Sequence, residues 1–255
     1  MQCVVKKNYR FALVPLGMKP IYIIGIVACI LGIYLISLVL LALSVGYFTS
    51  YWKKGLAQQA PKEPLVYVAL GDSAAQGVGA TSANKGYVGQ FAQRLEQKHQ
   101  RPVRIINLSE SGARIQDVIN DQLPELKKYQ ADVVTLDIGG NDIAGFDRNK
   151  FESDFAELVA LLPKGTIAAD VPFFGGRTQL PLFGSGQAEK DVLVANQIII
   201  SLAKDKPITV VPLHQATKQQ IGRRVWYYAP DYFHPNNLGY DIWTHTFWQS
   251  YLESK

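Results

Sequence analysis

Five positions between residues 73 and 234 carry groups that could together cleave an acyl bond. Ser73 lies in "LGDSAAQGVGA" (70–80), two residues after Gly71, which ends an apolar run. A serine hydroxyl is a weak nucleophile by itself; it needs a base within about 3 Å and a group that orients that base. His234 can be the base, and Asp231, three residues earlier in "DYFHPNNLGY", can orient it. The attacked carbonyl then needs donors aimed at its developing oxyanion. The Asn141 side-chain amide, the Gly112 N–H and the N–H of Ser73 itself can supply them. The chain order Ser, Asp, His is one of several in which this geometry recurs.

Other readings of the same residues are weaker. A phosphate loop needs a lysine where Val78 stands, and a dinucleotide fingerprint needs a third glycine where Ser82 stands. An isolated Gly-Asp-Ser is usually a turn or helix cap. The conjunction of four blocks in order, each expected beside a strand end or before a helix, separates this chain from that ordinary case. His99, His214 and His245 have no carboxylate at suggestive spacing and read as surface or core residues. Asp137 and Asp142 read as structural, Asp72 as a cap beside Ser73, and Glu110 as a polar neighbour of Gly112. The Gly-rich stretch 173–186 and the aromatic stretch "RRVWYYAPDYF" (223–233) could wall a substrate pocket.

These residues need a scaffold that gathers them. The apolar runs 65–70, 103–109, 131–140, 165–174 and 207–213 read as strands. Between them, 86–100, 115–129 (broken near Pro124), 150–163 and 187–204 read as helices, and 235–254 as a terminal helix. Strands alternating with helices argue for a five-stranded parallel sheet covered on both faces. In such sheets the site lies at the carboxyl ends of the strands, where Ser73, Gly112 and Asn141 fall.

The first 62 residues are different. They hold seven Lys/Arg and no acidic residue, whereas residues 63–255 hold 19 basic and 21 acidic residues. The formal net charge of +5 therefore comes from the N-terminal part, and the main domain has no basic excess to suggest nucleic-acid binding. Both cysteines, Cys3 and Cys29, lie there too, so the rest can hold no catalytic or metal-binding thiolate. Residues 21–48 are uncharged and mostly apolar, and exceed the roughly 20 residues a bilayer-spanning helix needs. The expected organisation is a basic tail (1–20), a transmembrane helix (21–48), a linker (49–64) and a catalytic domain (65–255). A signal peptide has a shorter apolar core, about 7–15 residues. "IVAC" (26–29) resembles a lipoprotein cleavage box only weakly. Four basic residues before the apolar stretch against three after it put the N-terminus inside and the domain outside.

The four blocks "LGDSAAQGVGA", "INLSESGARIQDVI", "TLDIGGNDIAGF" and "DYFHPNNLGYDIW" resemble those of the SGNH (GDSL-type) hydrolases, a family of esterases and acylhydrolases. The resemblance spans residues 65–252. It implies a three-layer α/β/α sandwich, a triad of Ser73, Asp231 and His234, an oxyanion hole of Ser73, Gly112 and Asn141, and no metal or cofactor. Ala74 departs from the family's frequent leucine, and Ala75 breaks the lipase G-x-S-x-G elbow. The expected function is a membrane-anchored serine esterase acting on an acylated envelope carbohydrate, a lysophospholipid or a small acyl ester. A catalytically idle binding module and an acyltransferase using the same triad are the alternatives.

Overall fold

The structure is a computed structural model that describes residues 20–57, 62–175 and 185–255. Residues 1–19 of the expected basic tail, linker residues 58–61, and residues 176–184 of the Gly-rich stretch lie outside the described residues.

The chain begins with α1 (Pro20–Ala57), followed by β1 (Leu65–Gly71) and the single turn α2 (Ser73–Gln76). Next come α3 (Tyr87–His99), β2 (Val103–Asn107), and α4 (Ile115–Asp117) joined to α5 (Leu123–Leu126) through a π-helical segment, Val118–Gln122. The remainder is β3 (Val133–Asp137), α6 (Arg148–Leu161), β4 (Ile167–Ala169), α7 (Ser185–Ala203), β5 (Thr209–Val211), α8 (Leu213–Gln220) and α9 (Asn237–Glu253). The five strands form one parallel sheet in the order β2-β1-β3-β4-β5. Strand order reverses between β1 and β3, the position at which doubly wound sheets open a crevice.

Period-two alternation sorts β1 between two cores. Leu65, Tyr67 and Ala69 face a cluster with Phe91 and Leu95 of α3 and Trp243, Phe247 and Tyr251 of α9. Val68 and Leu70 face the other side, against α4–α6 and α7 through Ile119, Phe155, Leu158 and Ile199. Both faces are dry, which is why the strand reads as an unbroken apolar run rather than an alternating one.

Three elements differ from their expected extents. β4 has three residues instead of ten: Asp170 N–H still bonds the Val211 carbonyl, but both backbone groups of Val171 bond the Asn196 side chain instead of a strand, and Pro172 follows. The irregularity expected near Pro124 lies just upstream as the π segment, where Leu123 N–H bonds the Val118 carbonyl. Pro124 has no N–H to offer an α-helical partner. α1 runs through Ala57, so residues 49–57 are helical rather than linker. Phe48 and Trp52 of α1 are buried in the first core, and Trp52 Nε1 donates to the Gln76 carbonyl at 2.9 Å. α1 is also long and apolar enough to cross a membrane.

Candidate active site

Ser73 opens α2 directly after β1. Asp72 caps that turn: its Oδ1 accepts from the Ala74 N–H at 2.9 Å. This turn aims Ser73 at the loop before α9, where Asp231 organises the chain around itself. Asp231 Oδ1 accepts from the N–H groups of Phe233 (2.9 Å) and His234 (3.0 Å). Its Oδ2 lies 2.5 Å from His234 Nδ1. One carboxylate thus folds the loop and orients the imidazole. With Nδ1 protonated, Nε2 is free to accept, and it sits 2.9 Å from Ser73 Oγ. Burial pushes the Asp231 carboxyl up, but the His234 side chain and the two N–H donors outweigh it, and the group lies below the usual carboxylate range.

Gly79 makes this approach possible. Its φ is +94°, and a Cβ there would stand 2.4 Å from the Pro235 carbonyl oxygen and 3.0 Å from His234 Cβ. The loop after α2 is therefore pressed against the histidine loop, and Tyr240 OH, donating to the Val78 carbonyl at 2.6 Å, fastens it to α9.

The expected oxyanion donors come from the ends of β2 and β3. Asn141 Nδ2 donates to the Ala113 carbonyl (2.9 Å) and to Asp72 Oδ2 (3.2 Å), and Asn141 lines the same crevice as Ser73 and His234. Gly112 takes φ +86°, with open space where a Cβ would be. Among the described residues, the N–H groups of Ser73 and Gly112 donate to no acceptor. The crevice at Ser73 measures about 30 Å³ and is walled by Pro172, Phe174 and Phe233. No group of His, Cys, Asp or Glu among the described residues has the arrangement of a metal site.

Several supporting residues gave no signal in the sequence. Gln122, on the π segment, brackets Gly71: its Nε2 donates to the Gly71 carbonyl and its Oε1 accepts the Gly71 N–H, both at 2.8 Å. Gln76 reaches across to the β2 loop, donating to the Ser109 carbonyl at 3.0 Å and accepting from Ser111 Oγ at 2.5 Å. His214 does have a carboxylate partner, Glu189 at 2.9 Å, brought from another helix. Glu189 also accepts the N–H groups of Phe174 and Gly175, and so holds the loop that walls the crevice. His99 bonds Tyr251 and His245 is exposed, as expected of surface or core residues. Asp137 accepts from Trp243 Nε1 at 3.1 Å, tying β3 to α9.

The fold is a doubly wound parallel α/β sheet with the Ser73–His234–Asp231 series at the carboxyl ends of its strands. The chain belongs to the GDSL-like lipase/acylhydrolase family, whose model matches residues 69–242, and it is an ester-hydrolysing enzyme. It is 26% identical to protein YpmR of Bacillus subtilis, over 76% of this chain and 84% of that one. It is 25% identical to the spore germination lipase LipC of Bacillus licheniformis, over 69% and 92%. Its fold is similar to that of Axe2, an acetylxylan esterase from Geobacillus stearothermophilus, with a TM-score of 0.57 at 20% identity, over 73% and 93%.

Proposed function

We propose that the chain is a membrane-anchored serine esterase working through an acyl-Ser73 intermediate. The observation that carries this reading is the unbroken series Ser73 Oγ, His234 and Asp231, at 2.9 and 2.5 Å. Ser73 Oγ attacks the ester carbonyl carbon while His234 Nε2 takes its proton. The oxyanion is held by the N–H groups of Ser73 and Gly112 and by Asn141 Nδ2, whose longer contact to Asp72 yields to the substrate oxygen. Collapse breaks the ester C–O bond, and His234 returns the proton to the departing alcohol. Water then attacks acyl-Ser73, gives a proton to His234, and leaves as the carboxylic acid while Ser73 is reprotonated. Asp231 stays ionised throughout and stabilises the imidazolium.

The small crevice favours a short acyl group, with the alcohol side left in the open. An acylated envelope carbohydrate fits that shape best, in line with the acetylxylan esterase whose fold is similar. α1 is the membrane anchor, with the N-terminus inside and the domain outside, as the excess of basic residues before it argues. An ester panel of graded acyl length tests the assignment, with Ser73→Ala as the control. Turnover should be highest for acetyl and propionyl esters and vanish in Ser73→Ala. Undiminished turnover in Ser73→Ala would sink the reading.

A further inference from the structure

α1 is not a free tether. Partly or fully buried positions recur along one stripe of it: Tyr34, Leu41, Val45, Phe48 and Trp52. Tyr34 lies against Tyr232, with ring centroids 6.3 Å apart. The side chains of Pro20–Leu31 and of Ile33 are exposed. The stretch free of the domain, residues 20–33, therefore reaches roughly 21 Å at 1.5 Å per residue. A bilayer core is about 30 Å thick, and tilt would only shorten the reach. The docked part of α1, continuous with this stretch, can supply the deficit of about 9 Å.

The domain surface beside that docked part is built for such a place. The exposed pair Arg223-Arg224 precedes Val225, 44% exposed, and Trp226, 60% exposed. Between them and α1 runs a groove of about 440 Å³ lined by Ile30, Ile33, Tyr34, Trp226, Pro230 and Tyr232. Cations beside an aromatic-apolar tip suit anionic headgroups above acyl chains. The deficit also matches the roughly 5–10 Å to which interfacial segments sink.

Resting on the anchor reading, we propose that the loop Arg223–Tyr232 is a membrane-inserting surface whose occupant is the lipid leaflet that α1 enters. Pro230 and Tyr232 flank Asp231, so the loop carrying Asp231 and His234 is seated on the bilayer, and the enzyme takes its substrate at the membrane face. The test uses the full chain in vesicles of phosphatidylcholine and phosphatidylglycerol, with bromine on the upper part of the acyl chains, comparing wild type with Trp226→Phe. The wild-type chain should show a bromine-quenched component, shielded from aqueous iodide, that is lost in Trp226→Phe. If Trp226 emission is instead quenched by iodide and untouched by bromine, while the protein resists alkaline carbonate extraction, the anchor stands and the inserting loop falls. If carbonate extracts the protein, the anchor reading fails and the loop proposal with it.

Discussion

Asn141 shows how closely the site residues are bound to one another. Its amide spans the Ala113 carbonyl and the Asp72 carboxylate, so the residue that caps the turn of Ser73 also orients the proposed oxyanion donor. Removing one such donor elsewhere costs about 10²–10³-fold in rate. Asn141→Ala should accordingly lower kcat by that order with little change in KM, measured on a short-chain ester. A loss confined to KM would assign Asn141 to substrate binding alone. Gly79 illustrates a different dependence, because its role is steric: no larger residue fits between it and the Pro235 carbonyl.

At the scale of elements, the loop after β4 carries a carboxyl whose titration is coupled to folding. Asp170 follows β4 and accepts the His214 N–H at 2.6 Å, at the start of α8. Burial pushes its carboxyl up to about 6, against the opposing pull of the His214 and Leu213 N–H groups and of His214 charge. A carboxyl raised on folding binds its proton more tightly in the folded state. It therefore favours folding at low pH, and that contribution is lost as pH rises through about 6. The wild-type stability, less that of Asp170→Asn, should fall by about 2–3 kcal/mol between pH 4 and pH 7, by urea unfolding. A flat difference would show that Asp170 titrates normally.

The same scale explains what the sequence makes legible. β1 and β3 stand out because they are largely apolar runs, buried but for Val66, that glycines stop, and the site blocks follow them directly. α8 does not, because "LHQATKQQ" is largely polar and begins right after Pro212. The continuation of α1 past residue 48 is hidden by Lys53, Lys54 and Gly55, although buried Phe48 and Trp52 hold it to the domain. Ser73, Asp231 and His234 can be read because each has a distinctive local block. Gln122 and the Glu189–His214 pair cannot, since their partners come from other elements.

Taken whole, the molecule joins an apolar helix to a doubly wound sheet that carries the Ser73–His234–Asp231 series at one edge. The basic excess lies before the domain, and the domain itself is close to neutral, so charge does not explain what it acts on. The proposals drawn from α1 and from the 30 Å³ crevice rest on shape instead: a long apolar helix docked on the domain, and a narrow space at Ser73. All of this depends on Ser73 being the activated nucleophile. The most direct measurement treats the full chain with a fluorophosphonate probe and locates the adduct by peptide mass spectrometry. The account requires one adduct, on Ser73, that is absent in Ser73→Ala and suppressed by a short-chain ester. An unlabelled Ser73 in protein that still hydrolyses esters, or an adduct on another residue, would contradict it.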